Sequence, residues 1–147
     1  ARKIEHTFFA ERDGAIVGVV SGYTGEQHQR SVDGALERAL GRQGLLGMRT
    51  AALAKWLRYF GPRKDDEFYV WALAVSEGLR GEGIGTFLMD STEDRARAGG
   101  STRLSLDADA KNVGARRFYE RRGMTVESEW PSVPLVPTAV VRIGKPL

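Results

Sequence analysis

The sequence predicts a mixed α/β domain, a central β-sheet flanked by helices, and three observations carry that expectation. Two β-rich runs near the start are joined by Asp13-Gly14, a strong two-residue hairpin signal. The nearly all-apolar run "EFYVWALAV", Glu67 to Val75, has the composition of a central strand buried on both faces. Beyond it, helix-period and strand-period stretches alternate as far as Arg122, and two further β-rich runs follow.

Thr7 to Ala10 and Ala15 to Tyr23 are the hairpin strands, separated by "ERDG". Over 31–60, Leu36, Leu40, Leu53, Trp56, Leu57 and Phe60 recur at helical spacing, interrupted by Gly41, Gly44 and Gly47. This predicts a helical insertion at about 31–60, two short helices broken near Gly44 to Gly47 and ended by Gly61-Pro62. After the central strand comes a glycine-rich loop, then a helix over Thr86 to Ala98 that Gly99-Gly100 terminates. "TRLSLDA" alternates, with Leu104, Leu106 and Ala108 on one side, and reads as a strand. Asn112 is a cap for a helix running to about Arg122, with Gly123 as its terminator. "MTVESEW" and "TAVVRIG" are the last strands, and "PSVPLVP" between them lacks the amide donors a central ladder needs. Trp56, Trp71 and Trp130 are expected to be packing residues.

A length of 147 residues suits one domain over 1–147. The absence of cysteine rules out a disulfide and fits a reducing compartment, so a cytoplasmic setting is expected. No apolar run reaches the ~18 residues of a membrane span, and no secretory leader is visible. The net charge of +3 is uneven: Arg30 to Lys64 holds eight basic residues opposed only by Asp33 and Glu37, while the rest of the chain sums to −3. The segment has no nucleic-acid readout motif, and its aromatics gather only at Trp56, Tyr59 and Phe60. It reads as a solvated helical face, and neither nucleic acid nor a membrane is expected as partner. The late strands and the proline link are a candidate homodimer surface.

The chemistry begins in "AVSEGLRGEGIGTFLMD", Ala74 to Asp90, with Gly78, Gly81, Gly83 and Gly85 between a strand and a helix. Such a loop lets backbone N–H groups converge, and the following helix adds its unpaired amides and positive dipole end. Together they bind a phosphate or diphosphate, with Arg80 as a charged contact. A Walker loop would need Gly-Lys-Ser/Thr, whereas Gly85 precedes Thr86 and Phe87. A dinucleotide fingerprint fails too: counted from Gly81 or Gly83, its last slot falls on Thr86 or Leu88.

"RGEGIG" has the form Arg/Gln-x-x-Gly-x-Gly/Ala, and "NVGARRFYERRGM" has Asn-x-x-Ala-x-x-x-Tyr-x-x-x-Gly, met by Asn112, Ala115, Tyr119 and Gly123. In that order on this frame, the chain resembles the GNAT superfamily of acetyl-CoA-dependent N-acetyltransferases, firmly over about 68–130. The sequence enters almost at the hairpin, so the strand and two helices with which the family usually begins are absent or unseen, and the insertion at 31–60 stands loosely in their place.

The resemblance implies a GNAT-like acyltransferase fold and acetyl-CoA as acyl donor in a cleft where the strands 68–75 and 102–108 splay apart, with no metal. It implies a cofactor-contacting set of Leu73, Val75, Arg80, Gly81, Gly83, Ile84, Gly85, Thr86, Asn112, Ala115 and Tyr119. The pyrophosphate would lie on the loop amides and the pantetheine beside Val75. Tyr119 is the implied catalytic residue, giving a proton to the departing CoA thiolate, while Phe118 is expected to fill the core. Glu67 and Tyr69, at alternate positions, are candidate bases. Water leading to a backbone carbonyl is the other route for the proton. His6 and His28 read as exposed. The implied reaction is N-acetyl transfer to a primary amine by direct attack in a ternary complex. The alternative is a non-catalytic acyl-CoA sensor.

Overall fold

The computed structural model describes residues 6–27, 64–131, 134–135 and 137–147. The expected insertion at about 31–60, with Trp56, Tyr59 and Phe60, lies outside these residues, as does His28. The described strands are β1 (His6–Arg12), β2 (Ala15–Thr24), β3 (Glu67–Val75), β4 (Arg103–Asp109), β5 (Thr125–Trp130) and β6 (Val140–Pro146). The helices are α1 (Ile84–Ala98) and α2 (Val113–Arg121). One six-stranded sheet has the order β1-β2-β3-β4-β6-β5. Among the described strands, only β3 and β4 pair in parallel. The α/β expectation therefore holds, with β6 inserted between the two strands that flank α2 in sequence.

The hairpin turn forms as the sequence asks: Asp13 and Gly14 both have positive φ, 52° and 76°, the geometry that matches strand twist in a two-residue turn. Helical residues then begin at Gly25, directly after β2. The Gln27 amide donates to Thr24 Oγ1 at 3.3 Å and the Thr24 amide donates to Gln27 Oε1 at 2.9 Å. That reciprocal pair is a capping box, Thr-x-x-Gln, so this stretch is a helix start.

Helix α1 buries Ile84, Leu88, Met89, Thr92 and Ala96, a four-residue rhythm that gives one apolar face. It seats on the hairpin strands through Gly18, where a Cβ would lie 2.9 Å from Leu88 Cδ1. Both helices end alike. Ser101 N donates to Ala96 O and Gly100 N to Arg97 O; Met124 N donates to Tyr119 O and Gly123 N to Glu120 O. Each is a Schellman end, which places a glycine at positive φ, Gly100 at 86° and Gly123 at 76°.

The core joins α1 to both sheet halves through Val20, Phe68, Val70, Leu104, Leu106, Val141 and Ile143. The expectation that β3 is buried on both faces holds only for its first half: Glu67 to Val70 are buried, whereas Trp71, Ala72 and Ala74 are exposed. Trp71 is 55% exposed, so it is not the packing residue expected, and Trp130 is 36% exposed at the end of β5. Among the described residues, no helix is long and apolar enough to cross a membrane.

Candidate active site

The parallel ladder between β3 and β4 runs from Glu67↔Arg103 to Val70↔Leu106 and stops. Beyond it β3 continues against β2 alone, and β4 against β6 alone. At the same place the β2–β3 register shifts. Gly22 pairs with Val70 and Ser21 with Ala72, which leaves Trp71 as an extra residue. This bulge changes which face each later side chain takes. Phe68 and Val70 lie in the core, and after the bulge it is Leu73 and Val75 that pack against it.

The backbone follows suit. The Ser76 amide donates to Val17 O at 2.9 Å. Backbone groups in an antiparallel pair face the neighbour at every second residue. With Gly18↔Val75 in register, Ala72 and Ala74 therefore turn their backbone toward β2. Leu73 and Val75 turn theirs into the opening between β3 and β4.

The glycine loop stands over this opening. A short 3-10 turn, Glu77–Leu79, leads through extended Arg80 to Gly81 and Gly83, with φ of 86° and 85°. Nothing lies within 4 Å of a Cβ built at either glycine, so the backbone conformation, not crowding, calls for glycine there. Gly83 is the N-cap of α1 and no side chain caps the helix. The first helical bond is Phe87 N to Gly83 O at 2.9 Å, which leaves the amides of Ile84, Gly85 and Thr86 as the orphan donors of the first turn. Gly85 lies at the foot of the loop: a Cβ there would be 3.5 Å from Phe118 Cζ and 3.8 Å from Val75 Cγ2. An ion pair that the sequence did not reveal, Arg12 Nη1 to Glu82 Oε2 at 2.5 Å, ties the hairpin to the loop.

Asn112 caps α2, its Oδ1 accepting from the Ala115 amide at 3.0 Å, and Ala115 packs against the core. Tyr119 is 8% exposed and belongs to the core. Phe118, expected there instead, is half-buried and lies against Gly85. The reason is the helix end: Tyr119 supplies the carbonyl that accepts from Met124 N, the position whose side chain packs under a Schellman turn. The two rings meet edge to face at 5.2 Å. Burial raises the Tyr119 phenol above its ordinary value of 10.0, so it is a neutral donor throughout the physiological range.

The two candidate bases have other partners. Glu67 lies at the closed end of the ladder, buried, accepting from the Ser105 hydroxyl at Oε1 and from the Lys64 amide at Oε2 (3.2 Å). Tyr69, one residue before the ladder's last pair, donates from Oη to Asp107 Oδ2 at 3.0 Å and lies 5.2 Å from the Tyr23 ring. Arg142 Nε donates to Asp107 Oδ1 at 2.9 Å. The Tyr69–Asp107–Arg142 cluster was not foreseen. Its members sit on three strands, and only the pairing register brings them together. Among the described residues, no group of acidic and histidine side chains has the arrangement of a metal site.

Comparison with known proteins adds the family context. Residues 1–124 match the family described as "Acetyltransferase (GNAT) family". An L-2,4-diaminobutyric acid acetyltransferase of Streptomyces coelicolor is 35% identical over 98 residues, covering 58% of this chain. The match spans 58% of that relative's length. Among solved structures, an acetyltransferase of the GNAT family from Desulfovibrio desulfuricans superposes with a TM-score of 0.64 at 16% identity, over 96% of this chain and 67% of its own. The PaiA N-acetyltransferase of Thermoplasma acidophilum, solved in complex with coenzyme A, gives 0.60 at 12% identity, over 96% of this chain and 60% of its own.

Proposed function

Because the chain belongs to the GNAT acetyltransferase family, we propose that it moves the acetyl group of acetyl-CoA to a primary amine by direct attack in a ternary complex. One observation carries this. The ladder's end, the outward-turned backbone of Leu73 and Val75, and the uncapped start of α1 coincide at one place. An extended chain bearing amides can pair with Leu73 and Val75 as an added strand. A diphosphate suits the amides of Gly81, Gly83, Ile84, Gly85 and Thr86, with Arg80 as counter-charge. We assign Asn112 and Ala115, at the start of α2, to the donor's arm as well.

In the proposed reaction the amine nitrogen bonds to the acyl carbon and the carbon–sulfur bond breaks. The Tyr119 phenol gives its proton to the leaving sulfur. The amine's proton returns through water to the tyrosinate. We assign proton removal to water because Glu67 and Tyr69 are engaged elsewhere.

Titration calorimetry with acetyl-CoA, followed by thiol-release assays over a set of amines, tests the proposal. The Streptomyces relative is named for 2,4-diaminobutyric acid, which makes that amine the first to try. Binding by the wild-type chain, loss of binding in Gly85→Val, and amine-dependent thiol release are expected. Binding with no release for any amine would favour a sensor. A folded wild-type chain that does not bind would overturn both readings.

A further inference from the structure

We propose that the Tyr69–Asp107 hydrogen bond is a brace that sets the opening between β3 and β4, which makes Tyr69, Asp107 and Arg142 positioning residues for the acyl donor. Only the naming of that donor rests on the function proposed above.

The seam between the two strands is stitched by side-chain hydrogen bonds, the last two of them on the face away from Phe68, Val70, Leu104 and Leu106. From the closed end onward, the Thr102 hydroxyl donates to Asp66, the Ser105 hydroxyl donates to Glu67, and the Tyr69 hydroxyl donates to Asp107. The last two stitches share a geometry. Glu67 pairs with Arg103 but reaches Ser105; Tyr69 pairs with Ser105 but reaches Asp107. Each link leans two residues forward along β4, toward the opening.

The final stitch therefore extends past the backbone pairing. The last pair is Val70↔Leu106, and Asp107 is the first residue of β4 beyond it. A continued ladder would set Trp71 opposite Asp107, but Trp71 is the bulge and the pair is not made. Tyr69 thus adds a side-chain link to β4 at Asp107, one position past the last backbone pair. From the other side Asp107 is fixed by its register with Arg142 on β6 and by that guanidinium, Nε to Oδ1 at 2.9 Å and Nη2 to Oδ2 at 3.2 Å. Pulled from β3 and β6, the carboxylate keeps β4 at one angle to β3. A hydrogen bond from the buried Tyr69 to a charged, partly buried acceptor is strong enough to matter there.

Tyr69→Phe is the clean test, because it keeps the ring and its packing on Tyr23 and removes one hydroxyl. Hydrogen exchange of the chain alone should be about tenfold faster over 69–71 and 105–107, the expected cost of one charge-assisted bond at a fraying end, and unchanged along β1. Asp107→Asn should act on the same segments. The double variant should be no worse than the worse single, since both cut one link. In turnover, Tyr69→Phe should raise KM for acetyl-CoA by about tenfold, with kcat and the amine KM within about twofold. Unchanged exchange in Tyr69→Phe would overturn the brace. Faster exchange with a raised amine KM and an unchanged acetyl-CoA KM would overturn the donor-positioning role. If the wild-type chain binds no acetyl-CoA, the proposed function fails, while the exchange result still decides the brace.

Discussion

The Phe118 ring lies against the backbone of Gly85, with room for a Cβ at ordinary van der Waals distance, 3.5 Å. Gly83, two residues earlier, faces open space but holds a φ of 85°. Of these two glycines of one loop, only Gly83 is held to glycine by its backbone conformation.

Alanine substitution should separate them. Gly85→Ala relieves the entropy of a glycine inside a helix and meets no clash, so melting should rise by an amount equivalent to about 0.5–1 kcal/mol, with acetyl-CoA affinity kept within about threefold. Gly83→Ala forces a side chain into the left-handed region and should lose about 1–2 kcal/mol. It should also weaken binding, because the strained loop relaxes away from its present geometry. Calorimetry and thermal melts on the pair read both effects. Equal behaviour of the two variants would refute the distinction.

The Glu67–Ser105 bond argues against a catalytic base at this position. Glu67→Gln should leave kcat within about twofold while lowering stability by about 1–3 kcal/mol, the cost of disturbing a buried, satisfied acceptor. Denaturant melts and initial rates check this together. A folded variant with kcat reduced a hundredfold would make Glu67 the base and remove water from that role.

Much of this was legible in the letters. Apolar period placed six strands and two helices to within a few residues, because local burial and chain direction coincide there. Gly99-Gly100 and Gly123 marked both helix ends for the reason the structure displays, a glycine needed at positive φ. The ladder's end at Val70 was not legible: a bulge is a property of pairing between strands, and nothing in "VWAL" distinguishes it from regular strand. The same limit hid the Asp107 cluster, whose members lie up to 73 positions apart, from Tyr69 to Arg142. The Thr24–Gln27 box is written in the sequence as Thr-x-x-Gln, a spacing that by itself also fits a strand end. Phe118 packs against the core as expected, but Tyr119 lies deeper in it, because helix period alone ignores how a Schellman end draws one side chain inward.

Tyr119→Phe tests catalysis and alkaline stability at once. Loss of the proposed acid should lower kcat by about a hundredfold with acetyl-CoA binding kept. The folded pKa is raised by burial, so the neutral phenol contributes stability that is fully present below pH 10. That contribution is lost as pH rises through the folded value, since the unfolded chain releases its proton first. Wild-type stability should therefore fall more steeply above about pH 10 than that of Tyr119→Phe. Parallel alkaline limbs would mean that Tyr119 is less buried in solution.

Glu93 sets the acid limit. Its Oε1 accepts from Arg122 Nη2 at 2.8 Å and its Oε2 from Lys145 Nζ at 2.7 Å, which joins α1 to the end of α2 and to β6. Burial by itself would raise this carboxyl, but the Lys145 and Arg122 hydrogen bonds outweigh it and hold it below its ordinary value of 4.5. A lowered folded pKa contributes stability that is present above the unfolded value and is lost as pH falls through the folded one. Wild-type melting should decline below about pH 4.5. Glu93→Gln leaves Lys145 and Arg122, with the more exposed Arg97 at 3.5 Å, facing a neutral amide at a side chain only 7% exposed, and should lose about 3–5 kcal/mol at neutral pH. Its stability should then depend less on pH across the acid range. A neutral-pH loss below about 1 kcal/mol would show that the network behaves as a solvated surface pair rather than a buried clamp.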